Sequence, residues 1–263
     1  YLAKKYSSLK EDEQAIIKEI VPDIELPKEN NTTPNGDDDE PLGYNPLFLG
    51  KDYEVPLPRL SKEMEKDTAK TEDGSYILDY MHFSIVMKKS RGLAYFTAVN
   101  IDGTDEVKIK RSADNWKFDP RISRDYQYGD EVYTGNELDR GHLVRRTDPN
   151  WGKNAIKANE DTFYFTNSTP QHKNLNQKTW VELENYIFRN AVLNQFKISV
   201  FTGPVFREDD MIYRQKYQIP AEFWKVVVML KEDGNISATA YLQTQKNMIE
   251  NLEFAYGEYK TYQ

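Results

Sequence analysis

Apolar and polar positions fall into two kinds of rhythm along this chain. Tyr80 to Met87 and Gly92 to Ile101 are runs of apolar and β-branched residues on either side of a polar Lys88–Arg91 turn, which predicts a pair of strands joined there. The short segment Asp161 to Thr166 (DTFYFT) reads as a buried strand. Lys197 to Thr202, Phe223 to Lys231 and Ile236 to Gln243 read as further strands. Only Leu175 to Val192 has clear helical spacing in this half, with Trp180, Leu183, Ile187 and Ala191 on one face. Mostly antiparallel strands with a few helices make an α+β domain, and no internal repeat is visible.

The amino-terminal part reads differently. Residues 8 to 20 predict a short helix capped by Ser7 or Ser8, and Pro22 and Pro27 break it. Residues 27 to 47, rich in Pro, Asn and Asp and poor in apolar side chains, read as a disordered linker. The expected organisation is therefore an arm over 1–49 and a main domain over 50–263.

Charge sharpens that division. The 263-residue chain carries a formal net charge of −8, an unusual sign for a protein that handles polyanions. Residues 11 to 40 contain eleven acids against two lysines, a net −9, so the remaining 33 bases and 32 acids sum to +1. Within 108 to 157 there are eleven bases and eight acids, a local excess that fits a phosphate-binding face. The arm reads as a solubilising linker, or alternatively as a nucleic-acid mimic lying in a basic cleft. Cysteine is absent, which excludes disulfides, Cys-based zinc sites and thiol nucleophiles. No run is long and apolar enough for a membrane span, and no signal peptide is read. The chain begins at Tyr1 rather than Met, so the expectation is a secreted, periplasmic or cell-surface protein whose leader has gone, with the cytoplasm as the alternative.

Three histidines allow each to be weighed. His142 closes Asp139-Arg140-Gly141-His142, a polar stretch just after a Gly135–Asn136 turn. Gly141 reads as a turn glycine, and an imidazole there, near its ordinary pKa, suits a general base. By spacing alone, a histidine beside Asp and Arg is more often a surface hydrogen-bonding residue. His82 alternates with apolar residues and reads as structural in a strand. His172, between Gln171 and Lys173, reads as exposed or as a phosphate neighbour.

The second constellation runs from Asn167 to Glu184. Asn174 or Asn176 could cap the following helix, or the Asn176 amide oxygen could bind a hard cation. Glu184 lies eight residues beyond Asn176, which at about 100° per residue is two turns plus roughly 80°, with about 12 Å of rise. A regular helix therefore keeps the two out of one tight coordination shell, and Glu184 would reach a metal through its water. Trp180, one turn before Glu184, reads as the core residue that fixes this helix.

Taken together, DRGH at 139–142, FTNSTPQ at 165–171, LNQ at 175–177 and WxxLE at 180–184 resemble the DNA/RNA non-specific endonucleases, the ββα-metal family that includes endonuclease G. The resemblance extends to Trp116–Ile122, Trp151-Gly152, Thr202–Phe206 and Pro220–Val228, and covers roughly residues 75 to 260. It implies a strand pair with the histidine at its edge followed by a metal-bearing helix. His142 would be the general base and Asn176 the only direct protein ligand to Mg²⁺, with Mn²⁺ or another divalent ion as possible substitutes. Glu184 would hold the metal's water shell, Asp139 would support the histidine or the hydrated metal, and Arg140 would make a structural or phosphate contact. DNA and RNA are the implied substrates, cut to 5′-phosphate and 3′-hydroxyl ends.

Two places depart from the family pattern. Relatives often carry an arginine one helical turn after the glutamate; here Phe188 stands there, followed by Arg189. Arg111 is the candidate for a second phosphate-binding arginine ahead of Trp116. Arg111, Arg189 and Arg145 are thus the candidate substrate contacts. The chain stops at Tyr262-Gln263 where relatives continue, which reads as truncation or processing. The competing functional readings are a catalytically inactive nucleic-acid-binding or interaction module on the same fold, and a metal phosphoesterase acting on small phosphodiesters.

Overall fold

A computed structural model describes residues 40–111, 113–231 and 233–249. The expected helix over 8–20, the arm up to residue 39 and the carboxy-terminal ending lie outside these residues.

The centre is a six-stranded, wholly antiparallel sheet in the order β1 (Leu78–Tyr80), β2 (Phe83–Lys88), β3 (Leu93–Asp102), β6 (Lys197–Val205), β9 (Glu222–Leu230) and β10 (Ile236–Thr244). All ten residues of β3 are buried, because both faces of the sheet are covered. The β2–β3 turn is the expected one. It is a short 3-10 helix, Lys89–Arg91, closed by Gly92 at φ 61°, the left-handed region where a side chain is disfavoured. The β6, β9 and β10 strands also fall where the sequence predicts, each extended by a residue or more at an end.

On one face, Phe83, Ile85, Met87 and Val99 pack against Leu143, Leu175, Trp180, Ile187 and Ala191. These last come from a second, smaller hairpin and the long helix. The hairpin pairs β4 (Leu138–His142) with β5 (Ser168–His172), and the helix is α4 (Val181–Leu193). Between the hairpin strands lie the short α3 (Ala155–Asp161) and a single 3-10 turn, Phe165–Asn167. On the other face, Tyr44, Leu49 and Val55 pack against Ala98, Phe201 and Val228. Tyr44 is already buried against this face, so the linker expected to run to residue 47 ends earlier. Tyr44 and Leu49 are few, but they are the kind of residue that burial rewards. The remaining elements are α1 (Lys62–Lys66), α2 (Asp130–Tyr133), the hairpin β7 (Met211–Tyr213) with β8 (Tyr217–Ile219), and α5 (Lys246–Ile249).

Three local expectations are corrected. Asp161–Thr166 is not a strand: Asp161 ends α3, and Phe163 and Phe165 are buried from a loop and a 3-10 turn, with the strand starting at Ser168. An apolar run alone does not separate these cases. His82 is not in a strand but in the β1–β2 turn at φ 70°. It is nonetheless structural, its ring stacked on Trp151 at 3.5 Å between centroids and its Nδ1 2.7 Å from the Pro149 carbonyl. His172 is buried rather than exposed. Its Nδ1 accepts from the Asn174 amide at 3.2 Å, which leaves Nε2 to donate to Glu137 at 3.2 Å. Among the described residues no helix is long and apolar enough to cross a membrane.

Candidate active site

β4 carries the DRGH residues, and its pairing with β5 sets Asp139 opposite Gln171 and Gly141 opposite Thr169. Gly141 is therefore a strand glycine rather than a turn glycine. A Cβ there would lie 2.1 Å from Oε1 of Gln171, whose side chain crosses over it. The loop after His142 is pinned by buried Asn167. Its Oδ1 accepts from the Val144 amide at 2.8 Å, and its Nδ2 donates to the Val144 carbonyl at 2.9 Å.

His142 stands against aromatic walls. Its ring lies 4.8 Å from Trp116, tilted, and 5.2 Å from Phe163, edge-on. Its Nε2 is buried and has no hydrogen-bond partner among the described residues. Burial pushes the imidazole pKa down to about 4, the positive charges of Arg111 and Arg146 push the same way, and Asp114 opposes them. At neutral pH the ring is thus uncharged with an uncommitted nitrogen, the form a proton acceptor needs.

Asp139, three residues earlier on the same strand, faces the helix. Its Oδ2 accepts from Asn176 Nδ2 at 2.9 Å and from Gln177 Nε2 at 2.8 Å. Neither Asn174 nor Asn176 makes a side-chain capping bond; the Asn176 side chain goes to Asp139 instead. With Nδ2 turned to the carboxylate, the Asn176 amide oxygen is the atom left to face a cation.

Residues Leu175–Trp180 form a wide, π-type turn before α4 begins. This lets Leu175 and Trp180, five apart, both enter the core. It also alters the eight-residue arithmetic. A π turn of about 4.4 residues advances about 82° per step, so Asn176 to Glu184 comes to two full turns within roughly 20°. The two side chains share one side of the helix, where a regular helix would hold them about 80° apart.

Glu184 is buried beside two cations. Lys225 Nζ, from β9, is 3.5 Å from Oε1, and Arg145 Nε, from the loop after His142, is 3.9 Å from Oε2. Burial raises the Glu184 pKa to about 7, a push shared by buried Asp148 and opposed by Lys225 and Arg145. Lys225 stands at the outer edge of hydrogen-bonding distance and Arg145 beyond it, so the cations act on the carboxylate mainly through their field and leave lone pairs available.

The candidate arginines separate. Arg145 donates to Asn185 at 2.7 Å, and its guanidinium lies 5.6 Å from the Phe188 ring, so it occupies the ground one turn after Glu184. Arg111 is largely exposed, bonded to Asp114 at 2.7 Å and close enough to His142 to affect it. Arg140 is engaged by Asp130 and lies over Tyr133, a structural pairing. Arg189 is exposed and sits about 140° round the helix from Glu184. Reading the sequence missed Trp116 as a wall for the histidine, Arg146 as a neighbouring charge, and Asp148 and Lys225 altogether. Trp116 and Lys225 left a signal, since both stand inside family segments.

Among the described residues there is no cluster of three or more His, Asp or Glu side chains of the kind that encloses a metal. A cation held through one amide oxygen, with carboxylates receiving its water, suits this donor set, as a hard, strongly hydrated ion such as Mg²⁺ prefers.

An uncharacterized protein, y4fB, of Sinorhizobium fredii is 38% identical over 230 residues, covering 81% of this chain and 34% of that protein. Mitochondrial endonuclease G of Bos taurus is 32% identical over 143 residues, covering 50% of this chain and 46% of its own, and the Serratia marcescens nuclease is 31% identical over 134, covering 47% and 48%. The chain thus spans about a third to a half of the length of these relatives. The solved structure of the EndoG/EndoGI complex superposes with a TM-score of 0.55 at 19% identity, covering 72% of this chain and 81% of that one, a likeness of fold. The DNA/RNA non-specific endonuclease family profile matches residues 60–263, and the chain belongs to that family.

Proposed function

We propose that the chain is a divalent-metal-dependent endonuclease that hydrolyses DNA and RNA without regard to sugar, leaving 5′-phosphate and 3′-hydroxyl ends. The observation that carries this reading is on β4. One strand presents an uncharged histidine with a free buried nitrogen and, about 10 Å away along the backbone, a carboxylate bonded to a metal-competent amide.

His142 takes the proton from water as that water attacks phosphorus in line. The aromatic walls keep bulk solvent off Nε2 and so keep the base neutral between turnovers. Asn176 would hold Mg²⁺, or Mn²⁺ in its place, through the amide oxygen, and Asp139 and Glu184 would accept hydrogen bonds from the ion's water. When bound, such an ion supplies Lewis-acid stabilisation of the charge that develops on the phosphoryl and leaving oxygens. Asp139 orients Asn176 by accepting a hydrogen bond from its Nδ2, which fixes which end of the amide faces the ion. Arg111 adds positive charge beside the histidine for a backbone phosphate. Such contacts read phosphate and carry no base sequence, so little sequence preference is expected.

The test is cleavage of plasmid DNA and of RNA with Mg²⁺, with and without EDTA, by the unaltered chain and by His142→Ala. The expected outcome is cutting of both polymers that EDTA abolishes and His142→Ala nearly abolishes. Equal cutting by the variant would remove the proposed base.

A further inference from the structure

We propose that Lys225 is a positioning residue for the reaction, holding the Glu184 carboxylate in place to receive the metal's water. This rests on the reading that Glu184 serves a bound divalent ion, and it assigns the work of aiming that carboxylate to the central sheet.

Lys225 lies mid-strand on β9, between β6 and β10, with only 2% of its side chain exposed. A lysine at the middle of a sheet is costly, since its ammonium must leave water. A methionine would fill the same space without that cost. The ammonium, whose charge also acts on buried Asp148, faces two neighbours from the metal-side helix. It lies 5.1 Å from the Trp180 ring centroid and 3.5 Å from Glu184 Oε1. Trp180 and Glu184 are one turn apart, so a single cation grips both the core anchor of the helix and its active group.

The opposite oxygen faces Arg145 at 3.9 Å. The carboxylate is therefore flanked by a cation from the sheet on one side and a cation from the histidine loop on the other. A close bidentate salt bridge would have consumed the lone pairs; this looser pair constrains direction and leaves them to accept from water. Arg145 is fastened independently by Asn185, so the carboxylate's freedom depends on Lys225.

The experiment has a sign that separates this role from simple charge. Mg²⁺ binding to the full chain is measured by calorimetry without nucleic acid, for the unaltered protein, Lys225→Met and Lys225→Arg, with thermal melting as the check on folding. Removing a bystander cation near the site would tighten Mg²⁺ binding. Removing the group that holds Glu184 should weaken it, by about 10- to 100-fold. Lys225→Arg should recover most of the loss, and KM for DNA at saturating Mg²⁺ should stay within about twofold, because the substrate contacts are elsewhere. If Lys225→Met does not fold, Lys225→Gln is read by the same criterion. Unchanged or tighter Mg²⁺ binding in a folded variant overturns the role of Lys225 and leaves the nuclease reading standing. Absence of Mg²⁺ binding in the unaltered chain overturns both.

Discussion

His142 and Glu184 are both withdrawn from water, and burial drives each toward its uncharged form. At the histidine that push prevails over the opposing charge of Asp114. Trp116 and Phe163 line the ring, Arg111 and Arg146 add to the effect, and the product is a neutral base. At the glutamate the same push would be harmful, and Lys225 and Arg145 stand against it. One desolvation force thus prepares an acceptor on the hairpin, while on the helix the two cations offset it only in part and leave the carboxyl at about 7. What differs between the two regions is the group acted on: nearby cations add to burial at the base and oppose it at the acid.

The largest effect that should break this symmetry is His142→Ala. Losing a positioned general base should reduce kcat by about 10²- to 10⁴-fold, with Mg²⁺ binding unchanged by calorimetry. Asn176→Ala should act on the other region. A drop of about 10- to 100-fold in Mg²⁺ affinity is expected, read as a rightward shift of the Mg²⁺ dependence of cleavage. A smaller effect concerns pH. Only neutral imidazole accepts a proton, so the histidine should give a fall in rate as pH drops through about 4, below a separate fall near pH 7 where Glu184 takes up a proton. In Glu184→Gln, which removes the upper fall, a fall centred near the ordinary histidine value would show that the walls do not exclude water. In the same background, Trp116→Ala should move the histidine's fall upward and cost a few-fold in rate at pH 5.5, with little change at pH 7.5. Least of all, Arg189→Ala should leave cleavage within about twofold, because its side chain is exposed and turned away from Glu184.

The two regions were not equally readable beforehand. The sheet strands follow from runs of β-branched and aromatic residues, and the inward face of α4 follows from the spacing of Trp180, Ile187 and Ala191. His142, Asn176 and Glu184 stood out because several short motifs occur in order. Their surroundings were hidden for physical reasons. Phe-Trp-Lys-Val reads as a strand with one polar position, and nothing local says that Lys225 points inward to a carboxylate forty-one residues earlier. His172 looks exposed among Gln171 and Lys173 until Glu137 is brought beside it by hairpin pairing. Phe163 and Phe165 look like strand residues because burial, which both share, carries no period over so short a span.

The wide turn over Leu175–Trp180 amounts to one surplus residue, and this makes part of the helix removable. Eight steps through a wide turn and seven steps along a regular helix end at nearly the same angle, about two revolutions. Deleting exposed Lys178 should therefore let the segment relax to a regular helix with the amide and the carboxylate still aligned. Deleting a residue within α4 instead would swing everything beyond it by about 100°. The segment tolerates a change in length where the rest of the helix tolerates only changes in side chain, and a difference of one residue there between two chains need not mean a difference in their sites.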